Sequence, residues 1–275
     1  MKTLIVPTDF SPVAINAMNY AAEMALSIDA SLLLVHVYQV PVTISDVPVV
    51  LVPVEELKST SEARLSDLKK GLQRFTNDRI RIYTESVLGD TIDQLKALCE
   101  RIRPLVVVMG THGAGGGWER RIMGSTTLSA IRHLKSPVMA IPPGTTFKGL
   151  KKIGLACDYK DVMHYMPIEL IRNILSAFPA TLEVLNVDYN KEHFDAETPL
   201  ESAHLESLLG NVKPNYHFLN NEDVTEGIME FAETNNLDVI MVIPKKHRLW
   251  EGLFRKSNSG DMVEHSHIPV MALHD

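Results

Sequence analysis

The sequence predicts an α/β protein built from two doubly wound domains in tandem. Three observations predict it. Short apolar runs rich in β-branched residues alternate with longer segments whose apolar residues recur at helical spacing. Strand, helix and strand in succession imply parallel pairing with right-handed crossovers. After Pro142-Pro143-Gly144-Thr145-Thr146, which reads as a linker, the alternation begins again. At 275 residues the chain has room for one large or two ordinary domains.

The first element is a strand over residues 2–7, ending at Thr8-Asp9-Phe10-Ser11-Pro12. Serine followed by proline opens a helix, and Ala14, Met18, Ala21, Ala25 and Ile28 mark its apolar face. Residues 32–37 read as a second buried strand, interrupted only by His36. Pro41, Pro48 and Pro53 argue against a central strand over 38–53. Its many valines make it an excursion expected to pack on another part of the chain. A helix follows over 54–75, then a strand over 79–87 with Ile80 and Ile82 alternating with polar neighbours. The next helix, 91–103, turns Ile92, Leu95, Leu98 and Cys99 inward. Fourth and fifth strands are expected at 106–109 and 138–141.

The second half repeats the first. Residues 151–159 match 2–10, with Asp158 under Asp9, and 182–187 match 32–37. Residues 239–244 match 105–110, and 265–272 match 133–140, with Pro269 under Pro137. The expected domains are 1–143 and 150–275. The last strand of each, 138–141 and 269–273, would leave an open apolar edge unless covered, so the two edges are expected to pack together as a pseudo-dimer within one chain. Further homodimerisation stays open.

Bulk composition narrows the function. Hydrophobic residues make up 45% and charged residues 22%, the proportions of a folded globular chain. The start, MKTLIVPTDF, lacks a signal-peptide core, and no apolar run is long enough to span a membrane. Cys99 and Cys157 are read as buried free thiols in a reducing compartment, so a cytoplasmic location is expected. Net charge is −7 and uneven. Residues 1–148 carry 16 Lys/Arg against 14 Asp/Glu, net +2, whereas 149–275 carry 11 against 20, net −9. Without a basic stripe, nucleic acid is not an expected partner.

Chemistry concentrates at 106–137, where a strand, a glycine-rich loop and a helix start follow one another. Glycines stand at 110, 113, 115, 116, 117 and 124, and Gly124-Ser125-Thr126-Thr127 leads into a helix with Leu128, Ile131 and Leu134 on one face. Glycines admit an anion close to backbone N–H groups, and a helix start adds donors and a positive dipole end. Such a loop also serves as a plain connector, with Ser125 as a simple cap. No Gly-Lys-Ser/Thr ends it, and it is too long for the dinucleotide fingerprint.

The Gly110-x2-Gly113 start and Gly124-Ser125 end resemble the nucleotide-binding motif of the universal stress protein family, G-x2-G-x9-G-[ST]. Ten residues, 114–123, separate Gly113 from Gly124, one more than that pattern. The tandem layout is also similar to two-domain members, over essentially the whole chain. The resemblance implies two five-stranded, mostly parallel sheets of order 3-2-1-4-5. It implies a stress-response regulatory protein binding ATP, or AMP or ADP, with Mg²⁺ optional and an unidentified protein partner. Position by position it implies Pro7, Asp9 and Val37 near adenine. Met109, Gly110, Gly113, Gly124, Ser125, Thr126 and Thr127 would hold ribose and phosphates. From the residues alone, Asp9 either accepts hydrogen bonds from a ligand or caps the following helix.

Arg120 and Arg121 are read first as solvated surface residues, and His112 as a loop residue without a visible nucleophile partner. His265, His267 and His274 lack a completing ligand motif for a metal. The second half has Pro244, His247 and Lys256 at the glycine positions, keeping only Ser257 and Ser259. Lys245, Lys246, Arg248 and Arg255 read as a solvated basic loop. Three functions compete: a nucleotide-binding regulator, a slow ATPase or phosphotransferase, and a nucleotide-independent scaffold. No Walker lysine or committed general base favours the enzyme.

Overall fold

The computed structural model describes residues 2–40, 53–111, 124–159, 162–189, 198–244 and 268–274. The excursion at 41–52, most of the glycine-rich loop and the basic loop of the second half lie outside the described residues.

The first half runs β1 (Thr3–Pro7), α1 (Pro12–Ser27), β2 (Ser31–Tyr38), α2 (Val54–Thr76), β3 (Ile82–Leu88), α3 (Thr91–Ile102), β4 (Val106–Gly110), α4 (Ser125–His133) and β5 (Val138–Ile141). The second runs β6 (Lys152–Ala156), α5 (Val162–Tyr165), α6 (Ile168–Ala177), β7 (Thr181–Val187), α7 (Thr198–Leu209), β8 (Asn215–Leu219), α8 (Val224–Thr234), β9 (Val239–Val242) and β10 (Val270–Ala272). All ten strands form one sheet, ordered β3-β2-β1-β4-β5-β10-β9-β6-β7-β8. Each half therefore has the order 3-2-1-4-5. Pairing within each half is parallel, and β5 meets β10 antiparallel, with Met139 opposite Met271.

Period-two alternation divides the strands between two buried layers. Leu4, Val6, Leu32, Leu34, Val106, Val108, Met139 and Met271 face α1, α2, α6 and α7. Ile5, Leu33, Val35, Val107, Met109, Val138 and Val270 face α3, α4 and α8. Both layers continue through the β5–β10 joint. Its residues are 2% exposed at most, so the edge that the sequence leaves apolar is covered from within the chain.

Boundaries differ from expectation at one strand. β3 begins at Ile82 rather than at 79, because Asn77 and Asp78 take left-handed φ of 50° and 52° and Arg79 N–H bonds back to the Thr76 carbonyl. The linker is anchored. Asn16 donates to the carbonyls of Pro142 and Thr145, and Phe147 packs edge-on against Tyr20 of α1.

Candidate functional site

β1 and β4 lie side by side in the sheet, and the chain leaves them in opposite directions, toward β2 and toward β5. Such a reversal opens a crevice beyond the carboxyl ends of the strands. It lies between the end of β1 at Pro7 and the end of β4 at Gly110.

The β1 side is a tight turn. Thr8 N–H donates to the Val35 carbonyl at 2.8 Å, Phe10 N–H to Thr8 Oγ1 at 3.0 Å, and Ser11 N–H to Asp9 Oδ1 at 3.0 Å. Phe10 takes φ 64°, the left-handed region that a bulky side chain rarely occupies. Ser11 Oγ accepts from Ala14 N–H at 3.2 Å. The cap of α1 is thus Ser11, and the exposed Asp9 is held by the turn instead.

On the β4 side, a Cβ at Gly110 would stand 2.6 Å from Val13 Cγ1 and 3.0 Å from the Val13 carbonyl. Helix α1 crosses directly over the strand end, so the fold itself requires glycine there. Gly124 N–H donates to the Thr111 carbonyl at 2.6 Å and Gly124 forms the N-cap of α4, adding no side-chain cap of its own. Ser125 is the first helical residue rather than the cap. Ser125 and Thr126 are exposed, whereas Thr127 is buried and its Oγ1 donates to the Gly110 carbonyl at 2.8 Å. That bond fastens the first turn of α4 to the end of β4. Arg132 and His133 in the last turn complement the helix dipole, leaving its positive end at Gly124.

The structure gathers Pro7, Asp9, Val37, Met109, Gly110, Gly124, Ser125, Thr126 and Thr127 along this carboxyl edge. Their chemical offerings differ. Pro7 and Val37 are half-buried. The Met109 side chain is buried with Ile5, Val35 and Val107, so it offers the edge only its backbone. Gly113, His112, Arg120 and Arg121 lie outside the described residues, as do His265 and His267. A ring nitrogen of His274 contacts the Ile131 carbonyl of α4. Among the described residues no three His, Cys, Asp or Glu are grouped to hold a metal ion.

Two further residues support the β1 turn. His36 Nδ1 donates to the Thr8 carbonyl at 2.7 Å. Its ring centroid lies 4.5 Å from that of Phe10. The guanidinium of Arg64, on α2, sits 3.9 Å from the Phe10 ring centroid. The polar break in strand two was visible as His36. Nothing local in the sequence joins Arg64 to Phe10.

In the second half, Tyr159 repeats the left-handed turn at φ 51°, and Asn186 Nδ2 donates to the Cys157 carbonyl at 3.0 Å, as His36 does to Thr8. Tyr159 is buried and stacks on Phe218 of β8 with centroids 5.9 Å apart. Burial pushes its phenol well above the usual tyrosine range. Asp158 is exposed, like Asp9.

The profile of the universal stress protein family matches residues 1–142. A universal stress protein of Methanocaldococcus jannaschii is 27% identical over 148 residues, covering 51% of this chain and 81% of that protein. Over nearly the full length, the chain is similar in fold to a universal stress protein from Archaeoglobus fulgidus. That comparison has a TM-score of 0.71 at 12% identity, covering 99% of this chain and 98% of the other. A universal stress protein candidate from Pseudomonas aeruginosa is also similar in fold, with a TM-score of 0.59 at 14% identity over 99% and 93% of the two chains.

Proposed function

Since the chain belongs to the universal stress protein family, we propose that its first half binds an adenine nucleotide, ATP, in the crevice between β1 and β4, as a regulator of the stress response. The observation that carries this reading is the exposed first turn of α4. It presents Ser125 and Thr126 to solvent with no side-chain cap, beside the exposed Asp9. The N–H groups of a helix's first turn, two hydroxyls and a helix dipole suit a phosphate chain. Asp9 suits an adenine amino group or a ribose hydroxyl. In this reading Gly113 brings the loop's backbone to the phosphates, the backbone at Met109 and Gly110 lies along the ribose, and Pro7 and Val37 border the base. Thr127 acts through its N–H, since its hydroxyl already bonds Gly110. The bound nucleotide supplies a charged triphosphate, with or without Mg²⁺, and the chain supplies orientation.

Residues 1–143 and 150–275 are the two units in this proposal, and only the first binds. In the strand register Ile243, not Pro244, stands where Gly110 does, and the Pro244 that follows lacks an N–H to offer. Binding without committed turnover fits a sequence that lacks a Walker lysine. A cytoplasmic protein partner would read the liganded state.

Isothermal titration of nucleotide-stripped protein, with and without Mg²⁺, should give one ATP per chain. Mass spectrometry of freshly purified protein should detect the nucleotide. Replacing Ser125 and Thr126 together by alanine should weaken binding by about tenfold or more, at about 1 kcal/mol per lost hydrogen bond. Two equivalent sites would move the reading to both halves. No binding by any adenine nucleotide would leave a scaffold.

A further inference from the structure

We propose that Arg64 is a positioning residue for the nucleotide site: by stacking on Phe10 it holds the β1 turn in the conformation that presents Asp9. The inference rests on the nucleotide-binding reading above. Arg64 belongs to α2, and the excursion at 41–52 lies between β2 and α2 in sequence. The stack therefore makes the pose of Asp9 depend on an element outside the crevice.

Phe10 has φ 64°, a conformation that holds a bulky residue only when its surroundings outweigh the local cost. Its N–H is taken by Thr8 Oγ1, and its ring meets His36 at 4.5 Å and the Arg64 guanidinium at 3.9 Å. Asp9 and Ser11 flank it, joined by the Ser11 N–H bond to Asp9 Oδ1. If Phe10 relaxes to negative φ, the peptide planes on both sides rotate and the Asp9 carboxylate turns with them.

The second half shows what is particular to Arg64. Tyr159 has the same left-handed backbone, but the residue is 4% exposed and its ring is supported by Phe218 and Tyr216 of β8. That support is part of the sheet. In the first half the sheet contributes His36 of β2, and helix α2 adds one exposed cation, Arg64, on the ring. The left-handed turn itself belongs to the fold of both halves, whereas its cationic support from α2 belongs to the half with the candidate site.

The experiment separates positioning from simple attraction of phosphate. ATP and inorganic tripolyphosphate are titrated into the wild-type chain, Arg64→Ala, Arg64→Lys, Phe10→Gly and the Phe10→Gly/Arg64→Ala double variant. Arg64→Ala should weaken ATP by about two- to fivefold, the value of an exposed cation–aromatic contact, and leave tripolyphosphate unchanged. Arg64→Lys should recover part of the loss. Glycine at position 10 accepts the left-handed backbone without the ring, so adding Arg64→Ala to it should change nothing further. Hydrogen exchange at the Phe10 and Ser11 amides reads the turn without any ligand and should quicken in Arg64→Ala. Equal losses for ATP and tripolyphosphate would make Arg64 a mere attractor and overturn the proposal. So would unchanged exchange. A wild-type chain that binds no ATP would overturn the nucleotide reading instead, while exchange still decides whether Arg64 holds the turn.

Discussion

At Gly110 the space for a side chain is occupied by Val13, 2.6 Å from where a Cβ would lie. Gly110→Ala should therefore lower stability by about 1–3 kcal/mol through overpacking, seen as a lower denaturant midpoint without any ligand present. A loss of binding in that variant would report on the α1–β4 contact, whereas Ser125 and Thr126 are exposed and can be changed without disturbing the core. A second residue-scale test concerns Glu183, which is buried on β7. Burial alone would raise its pKa. Hydrogen bonds from His217 Nε2 at 2.7 Å, Asn215 Nδ2 at 3.1 Å and Thr181 outweigh that and hold it below the ordinary 4.5. A carboxylate with a lowered folded pKa stabilises the fold above its unfolded pKa, and the contribution fades as pH falls through the folded value. His217→Ala should cost about 1–3 kcal/mol at neutral pH. The gap from wild type should narrow as pH drops below 4.5, measured by urea unfolding across that range.

At the scale of elements, local signals wrote the helices and strands plainly. Ser11 before Pro12 predicted the start of α1, and Ser11 Oγ does cap it. Ser11→Ala should cost about 1 kcal/mol, read from thermal or urea unfolding. Continuous apolar runs placed β1, β2, β4 and β5 to within a residue, because a sheet covered on both faces buries successive side chains in alternate layers. β3 was placed too early because Asn77 and Asp78 adopt left-handed backbone that hydrophobic periodicity does not register. In the candidate site, the Asp9 turn, Gly124 and the α4 start were legible as a motif. The Val13 contact at Gly110, the inward hydroxyl of Thr127 and the Arg64 stack were not. Each depends on residues brought together only by packing, and no local pattern encodes them.

For the whole molecule, the β5–β10 joint and the anchored linker should make the two halves unfold together. Calorimetry should show a single transition whose calorimetric and van't Hoff enthalpies agree. Met271→Asp would set an unpaired charge opposite Met139, at a position 0% exposed. The expected cost is several kcal/mol, and the single transition should divide in two. The antiparallel joint also bears on descent. Two identical copies meeting through the same strand must keep identical sequences, since any substitution appears twice. Two halves joined in one chain carry no such constraint. The two halves can therefore differ, as they do in Ile243 against Gly110 at the same register position and in a net charge of −9 against +2, while each keeps a permanent neighbour along its edge.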